Sequence, residues 1–381
     1  MSFSNLGLAP YFVPALAHYQ FTQSSPIQRE AIPAILQRRD VLGIAKTGSG
    51  KTVCYVLPIL QHLQQAKALQ YREPTVLVLV PTRELADQVR EVFLDFIPCL
   101  DEQFKCLAVY GGVSINTQMQ AIGRVTVLIA TPGRLLDLVE KNAVRLSSIE
   151  TLVLDEADKI LNLGFKDEVD RILDLLPAKR QNLLFSATLS ADLSQVQQVL
   201  LAAPLVFNME EAVDDVELIN QLSFSVSEER KGPLLRYLIK SQYVDQQVLV
   251  FVSSKQKADN LVRKLVKNKI NAAAVHSKMG QNARRDTLQR FKAGQLPVLV
   301  ATDLLARGID IDSLPCVINY ELPRSPKDYI HRIGRTGRAD ASGDAISLIT
   351  PAELSHFKVI QKKMGKPVPM IDSVEIDISG Y

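Results

Sequence analysis

The fold of this chain is constrained most by short apolar runs that alternate with longer amphipathic stretches. Runs rich in β-branched and aliphatic residues occupy 41–45, 76–81, 106–110, 125–130, 151–154 and 182–185. The same rhythm restarts at 248–253, 272–276, 298–301, 316–320 and 345–349. This alternation is typical of buried parallel strands joined by helices that cover both faces of a sheet. The sequence therefore predicts an α/β fold with two mostly parallel sheets, each flanked by helices.

Two domains are expected from the length as well as from the two sets of strands. A chain of 381 residues exceeds one ordinary domain and allows two that each bury a core. The acidic segment 209–217 lacks clear periodicity and separates the two sets of runs, so it is predicted to be the linker. We place the first domain at 31–208, with an N-terminal region at 1–30 that belongs to it, and the second domain at 218–381.

Composition and charge exclude several classes of protein. The apolar share of 47% and the charged share of 22% are those of a globular chain. No apolar run has the length of a membrane span or the setting of a signal peptide, so a cytoplasmic monomer is expected. The four cysteines lack metal-binding spacing and are expected to be free thiols. A net charge of +3 does not by itself indicate a nucleic-acid partner, so any such site must be local.

A phosphate-binding loop follows the first apolar run. Its residues are Ala45, Lys46, Thr47, Gly48, Ser49, Gly50, Lys51 and Thr52, with Ala in the usual first Gly position. In such a loop backbone N–H groups surround phosphates, the Lys meets the β- and γ-phosphate oxygens, and the Thr hydroxyl reaches Mg²⁺. The alternative is an ordinary Gly-rich turn. The motif predicts a nucleoside triphosphatase in which Lys51 is catalytic and Thr52 is a metal ligand.

A second candidate for the same site lies at the end of the run 151–154, where Asp155 and Glu156 follow directly. Ligands of open α/β sheets bind beyond the carboxyl ends of the strands. Asp155 is therefore a candidate to hold Mg²⁺ through water, and Glu156 a candidate general base for the attacking water. Taken alone, such acids are more often the N-cap of the next helix. The upstream phosphate loop favours the catalytic interpretation.

The tetrad Asp155-Glu156-Ala157-Asp158 is the one that names the DEAD-box ATP-dependent RNA helicases, and the chain resembles that family over nearly its whole length. The resemblance implies two tandem RecA-like domains, ATP as the substrate, Mg²⁺ as the cofactor and RNA as the partner. The short N-terminus and the absence of a basic tail resemble a compact bacterial member of the RhlE type.

The segment from Phe21 to Gln28 resembles the adenine-reading motif of the family, and Phe3 stands at its isolated upstream aromatic position. A Gln amide can pair with the N6/N7 edge of adenine while an aromatic ring stacks on the base. The alternative for Phe21 is ordinary helix packing. Gln20 replaces the usual Gly and Ser24-Ser25 replaces Pro-Thr, which predicts a less rigid loop.

Further segments of the first half resemble the RNA-contacting motifs of the family. Each follows a predicted strand, so its N–H groups and Arg side chains can meet phosphates at a helix start. Singly, such Pro and Gly residues usually mark turns. The candidate RNA-binding residues are Thr82, Arg83, Gly112, Thr131, Gly133 and Arg134. The resemblance also assigns Ser186 and Thr188 to the coupling of nucleotide state to closure, and their hydroxyls could bond Asp158; the alternative is a helix N-cap.

The second half supplies the remaining candidates. Arg335 and Arg338, in a segment that otherwise reads as a basic turn, are candidate arginine fingers that stabilise charge on the transferred phosphoryl group. The resemblance assigns Asp310 to the ribose, Thr302 and Arg284 to RNA, and His331 to coupling. A helical surface Arg is usually solvated, which is the alternative for Arg284.

These motifs predict RNA-stimulated ATP hydrolysis that opens short RNA duplexes, or remodels RNA–protein complexes, without reading base sequence. Two alternatives stay open. One is an ATP-gated RNA clamp with little turnover, and the other is a DNA helicase or translocase built on the same two domains.

Overall fold

The computed structural model describes residues 3–45, 48–66, 73–101, 104–188, 200–201, 203–209, 219–303, 314–337 and 343–381. The chain divides into two compact units, Met1–Glu210 and Glu211–Tyr381. Of the predicted linker 209–217, only Met209 lies within the described residues. Its N–H still donates to the carbonyl of Ile44 in the first sheet, over 2.8 Å.

The first unit is built on a sheet of seven strands in the order β3-β4-β2-β5-β6-β1-β7. Every pairing in it is parallel. The strands are β1 (Val41–Ile44), β2 (Val76–Leu79), β3 (Cys106–Val109), β4 (Val127–Ala130), β5 (Thr151–Leu154), β6 (Gln181–Ser186) and β7 (Leu205–Asn208). The helices are α1 (Val13–His18), α2 (Pro26–Leu36), α3 (Lys51–Gln65), α4 (Arg83–Phe96), α5 (Ile115–Ala121), α6 (Pro132–Glu140), α7 (Ala157–Asn162) and α8 (Lys166–Asp174).

Helices cover both faces of this sheet, because successive strand residues point to opposite sides. In β2, Val76 and Val78 belong to the apolar cluster on one face, whereas Leu77 and Leu79 belong to the cluster on the other. All four side chains are buried. A strand that is apolar on both sides is stable only between two layers of helices, which explains the continuous apolar runs in the sequence.

The second unit repeats this topology. Its sheet has the order β10-β11-β9-β12-β13-β8-β14, which is the first order with seven added to each number, and all pairings are parallel. The strands are β8 (Ile219–Ser225), β9 (Val248–Val252), β10 (Ala272–Val275), β11 (Val298–Thr302), β12 (Cys316–Asn319), β13 (Gly343–Ile349) and β14 (Met370–Asp372). The helices are α9 (Glu228–Tyr237), α10 (Lys255–Lys267), α11 (Gln281–Lys292), α12 (Pro326–Ile333) and α13 (Leu354–Met364). The predicted fold class, two α/β domains with parallel sheets, is confirmed.

The apolar runs missed three strands. β7 and β14 are sheet edges, where part of each strand faces solvent. β8 lies inside the second sheet but contains the buried polar residues Gln221 and Ser223, so it does not read as an apolar run. Within the described stretches of the chain, no helix combines the length and the apolar character needed to cross a membrane.

Candidate functional site

The carboxyl edge of the first sheet gathers the candidate motifs into two groups. The phosphate loop follows β1, the tetrad begins directly after β5, and Ser186 ends β6; these three strands are neighbours. The candidate RNA motifs follow β2, β3 and β4, which are neighbours in the other half of the sheet. The strand order therefore separates the candidate nucleotide residues from the candidate RNA residues along one edge.

The phosphate loop has the backbone that close approach to phosphates requires. Gly48 and Gly50 adopt φ values of 81° and 83°, in the left-handed region that glycine enters without strain. Lys51 begins α3 and is buried, and its Nζ donates to the carbonyl of Ala45. Burial lowers the pKa of the Lys51 ammonium, and the Asp155 carboxylate opposes that shift. Lys46 and Thr47 lie outside the described residues.

The candidate adenine-reading residue is anchored to this loop. Gln28 Oε1 accepts from the backbone N–H of Ser25 over 2.8 Å, and Nε2 donates to the carbonyl of Gly50 over 3.2 Å. The Ser25 hydroxyl donates to the carbonyl of Ser49 over 2.8 Å. A Cβ on Gly50 would displace the Gln28 amide, and the φ of 83° there strains any other residue. Gln28 is thus a structural partner of the phosphate loop.

The aromatic half of this motif packs in a small cluster. The Phe21 ring meets Phe3 edge-on, with 6.3 Å between ring centroids, and Phe96 at the same separation with tilted planes. Phe21 itself is half-buried. Gln20, which stands at the usual Gly position, has a φ of 60°, so the residue there takes the left-handed backbone that Gly adopts more readily.

Two hydrogen bonds position the Asp155 carboxylate, which can still bind a hydrated cation. Tyr55 donates to Oδ2 over 2.8 Å, and the N–H of Glu156 donates to Oδ1 over 2.9 Å. The Tyr55 hydroxyl also bonds the Thr52 side chain, so both predicted metal ligands share one partner. Burial raises the pKa of Asp155, and Lys51 opposes this. Among the described residues, no group of three or more His, Cys, Asp or Glu side chains is arranged to hold a metal ion by itself. The donors fit Mg²⁺, which commonly takes one or two protein ligands beside phosphate and water.

Glu156 has a strained backbone and a close ion pair with Lys159. Its φ of 52° and ψ of 46° are left-handed, a conformation that costs energy for a residue other than glycine and is frequent at functional sites. Lys159 Nζ lies 2.6 Å from Glu156 Oε1, and both side chains are buried. Burial raises the pKa of Glu156, whereas Lys159 opposes this shift. The neighbouring ammonium thus favours the ionised carboxylate, the form that a base requires, against the effect of burial.

Of the two candidate coupling hydroxyls in the first unit, Thr188 bonds Asp158, whereas Ser186 bonds the backbone of Thr188 instead. Thr188 Oγ1 donates to Asp158 Oδ2 over 2.8 Å, and the Ser186 hydroxyl donates to the carbonyl of Thr188 over 2.8 Å. The pairing of β5 with β6, in which Leu154 lies opposite Leu184, brings the two segments together. The residues from 189 to 199, where the alternative N-cap places its helix, lie outside the described part.

In the RNA half, Thr82 caps a helix and Arg83 contacts Gly112. Thr82 is the N-cap of α4 and accepts from the N–H of Leu85 over 3.3 Å. Arg83 folds its guanidinium over Gly112, where an added Cβ would lie 2.0 Å from Nη1. The φ of 80° at Gly112 favours glycine, and a larger residue there would also displace the end of the Arg83 side chain.

In the candidate RNA segment that follows β4, the Arg134 side chain bonds to other parts of the first unit. Thr131 is the N-cap of α6, and Gly133 lies in the first turn. Arg134 Nη1 donates to the carbonyl of Val113 over 3.0 Å and to Gln118 Oε1 over 2.7 Å. The guanidinium thus links α6 to the segment after β3, and the backbone N–H groups at the start of α6 are the better candidates for phosphate contact.

In the second unit the candidates again follow adjacent strands. Thr302 ends β11, and Arg284 lies in the first turn of α11, after β10. Arg284 is buried rather than solvated, with Nη2 3.4 Å from the carbonyl of Ser277. His331 is half-buried in α12, and Arg335 is buried just beyond its end. Asp310 and Arg338 lie outside the described residues.

Sequence reasoning left Arg332 without a role, yet it organises this region. Its guanidinium is 2% exposed and forms two bonds to Asp303, of 2.5 Å and 2.8 Å. It also donates to Asn319 over 2.9 Å and lies 4.9 Å from the centroid of the Phe251 ring. Tyr55 and Lys159 were missed as well. Lys159 carried a signal, because residues three apart share a helix face and oppositely charged pairs attract at that spacing.

The comparisons with known proteins agree with these motifs. Residues 25–196 match the family model of the DEAD/DEAH box helicases, and residues 230–340 match that of the helicase conserved C-terminal domain. The chain is similar to DEAD-box ATP-dependent RNA helicase RhpA of Helicobacter pylori, with 36% identity over 97% of this chain and 74% of that protein. It is also similar to DEAD-box ATP-dependent RNA helicase 46 of Arabidopsis thaliana, with 37% identity over 97% of this chain, but it spans only 58% of that protein's length.

A solved structure shows the same fold. S. cerevisiae Dbp5 bound to RNA and ADP BeF3 matches with a TM-score of 0.84 and 29% identity, covering 98% of this chain and 96% of that one. With the two matching domain models and the close relative in Helicobacter pylori, this identifies the fold as tandem RecA-like domains. The chain belongs to the DEAD-box ATP-dependent RNA helicase family.

Proposed function

We propose that this chain hydrolyses ATP with Mg²⁺ and uses the cycle to open short RNA duplexes without reading their base sequence. The observation that supports this proposal is the arrangement of candidate residues along the carboxyl edge of the first sheet. The candidate nucleotide residues follow β5, β6 and β1, and the candidate RNA residues follow β2, β3 and β4. Two ligands can then occupy one unit side by side, and each can favour the binding of the other.

In the nucleotide half, Lys51 meets the β- and γ-phosphate oxygens, and Thr52 and Asp155 hold the cation. Mg²⁺, when bound, neutralises charge that develops on the phosphate oxygens. Glu156 orients the attacking water and accepts its proton. Gln28 and Phe21 select the adenine base by pairing and by stacking.

The second unit completes the reaction in this proposal. Arg335 and Arg338 supply cations to the transferred phosphoryl group, and Asp310 binds the ribose hydroxyls. Arg284 and Thr302 add contacts to the RNA backbone, and His331 links nucleotide and RNA binding. Because the RNA contacts come from backbone N–H groups and arginines, sugar and phosphate are read rather than base edges.

RNA rather than DNA is the proposed partner, as in the relatives named above, and the 2′-hydroxyl is the group that can distinguish them. We also propose that the protein acts in the cytoplasm. Its four cysteines, Cys54, Cys99, Cys106 and Cys316, are free thiols, which suits a reducing compartment.

Strand separation tests this proposal directly. A labelled short RNA duplex is mixed with the protein and ATP, with a non-hydrolysable analogue, or with ATP and the Glu156→Gln variant as the matched control. We expect repeated separation only with the unmodified protein and ATP. A DNA duplex of the same sequence opened equally well would indicate a DNA helicase, and ATP-dependent RNA binding without strand separation would indicate a clamp.

A further inference from the structure

We propose that Lys159 is a positioning residue for ATP hydrolysis: its ammonium holds one oxygen of the Glu156 carboxylate and leaves the other to receive the attacking water. The inference rests on the proposed function, since it concerns the step that Glu156 carries out. It adds a residue from outside the tetrad to the nucleotide site.

The contact between the two side chains is short and enclosed. Lys159 Nζ lies 2.6 Å from Glu156 Oε1, and the side chains are 9% and 8% exposed respectively. An ammonium taken out of water in this way is stable only beside an anion and hydrogen-bond acceptors. The pair is therefore a fixed feature of the site, unlike the exposed ion pair of Arg171 with Glu140.

The two carboxylate oxygens of Glu156 differ in their surroundings. Glu156 Oε2 is buried and has no hydrogen-bond partner among the described residues. Buried carboxylate oxygens are normally satisfied, and an exception at a functional residue calls for an explanation. Since Lys159 occupies Oε1, a water that binds the carboxylate from the nucleotide side is directed to Oε2.

The backbone fixes both members of the pair. Glu156 sits in its left-handed conformation at the N-cap of α7. The N–H of Lys159 donates to the carbonyl of Glu156 over 2.8 Å and to Asp158 Oδ1 over 3.0 Å. The ammonium therefore approaches the carboxylate from a constant direction, which is what positioning of a catalytic group requires.

The step that depends on this geometry is the attack of water on the γ-phosphate of ATP. The water oxygen forms a bond to the γ-phosphorus while its proton passes to Glu156 Oε2. The bond between the γ-phosphorus and the bridging oxygen breaks, and its electron pair leaves with ADP. A carboxylate that is free to rotate offers the water two oxygens in varying directions, so loss of Lys159 slows this step without removing a group that binds ATP.

The test compares Lys159→Met, which keeps the length of the side chain, with Lys159→Arg, which keeps the charge. RNA-stimulated turnover is measured at saturating ATP together with KM, and the affinity for a fluorescent ADP analogue and the melting temperature are measured separately. We expect Lys159→Met to lower kcat by about 10- to 100-fold. This is the range found when a residue that orients a metal ligand through a hydrogen bond is replaced. KM and ADP affinity are expected to remain near those of the unmodified protein. The melting temperature should fall, because the buried Glu156 carboxylate loses the partner of its charge. Lys159→Arg should restore most of kcat and of the melting temperature. Lys179→Met, at an exposed lysine beyond α8, is the matched control and should leave kcat unchanged.

A double variant separates positioning from a general loss of structure. Because Lys159 acts through Glu156, adding Lys159→Met to Glu156→Gln should cause no further loss of kcat. A full kcat in Lys159→Met, a faster one, or additive losses in the double variant would overturn the inference while leaving the proposed function intact. Absence of RNA-stimulated hydrolysis in the unmodified protein would instead contradict the proposed function itself.

Discussion

Thr188 Oγ1 donates a hydrogen bond to Asp158 Oδ2 across 2.8 Å. The bond joins the segment after β6 to α7, and Asp158 also accepts from the N–H of Lys159 over 3.0 Å. A shift of either segment would therefore disturb the start of the helix that carries Glu156. This contact is the most direct physical link between the candidate coupling residues and the candidate base.

Replacing Thr188 tests this link. Thr188→Val keeps the shape of the side chain and removes the donor, and Thr188→Ser keeps the hydroxyl as the control. We expect the valine variant to lose about 1 kcal/mol of unfolding free energy. It should still hydrolyse ATP but separate fewer RNA duplexes per ATP consumed. Equal duplex yield per ATP in the valine variant would show that the bond has no role in coupling.

Lys51 and Glu156 are expected to differ in which step they serve. Lys51→Ala removes the buried cation that we propose meets the phosphates, and it should weaken nucleotide binding itself. Glu156→Gln keeps the size of the side chain and should bind ATP and RNA yet scarcely turn over. Equilibrium titration with a fluorescent nucleotide, followed by phosphate release, separates the two effects. Full turnover by the glutamine variant would refute the assignment of the base.

Gln28 is expected to act on stability as well as on base selection. Gln28→Ala removes the bonds to Ser25 and Gly50 and should lower the unfolding free energy by about 1–2 kcal/mol. The same change should reduce the preference for ATP over GTP. Gln28→Glu keeps the acceptor for Ser25 but loses the donor, so it separates helix capping from base reading. Equal use of GTP by the unmodified protein would remove the case for base reading.

His62 predicts a pH dependence of folding. Its Nε2 lies 3.1 Å from the Leu36 carbonyl, while the buried Nδ1 has no hydrogen-bond partner in the part of the chain that the structure describes. Burial, with Arg38 nearby, lowers the pKa of His62 from 6.5 to about 4. As the pH falls, His62 therefore binds a proton in the unfolded chain before it does so in the folded chain. Its contribution to the unfolding free energy is fully present above pH 6.5 and is lost as the pH falls towards about 4.

Urea unfolding at about pH 7.5 and about pH 5 measures this effect. His62→Gln can still donate to Leu36 but does not titrate, so the difference in unfolding free energy between the two pH values should become smaller. An unchanged difference would show that His62 does not contribute to the acid sensitivity.

The sequence patterns predicted the buried strands of both sheets because apolar runs and strands coincide where helices cover both faces. The ends differed by one or two residues, since residues such as Val80 are buried beyond the last ladder pair. The apolar runs did not predict β8, because Gln221 and Ser223 interrupt its apolar sequence. The positions of the motifs were readable, but contacts such as Tyr55 with Asp155 were not. They depend on the order in which strands pair, and local spacing does not encode that order.

Coupling between RNA and ATP is measured by steady-state ATP hydrolysis with single-stranded RNA, with DNA of the same sequence, and with neither. We expect strong stimulation by RNA and weak stimulation by DNA. In Arg335→Ala the RNA-stimulated rate should fall by a large factor, up to about 10³–10⁵ where a cation serves the transferred phosphoryl group. Hydrolysis at one rate in all three conditions, or an isolated fragment of residues 1–208 that reaches the full RNA-stimulated rate, would contradict the proposed function.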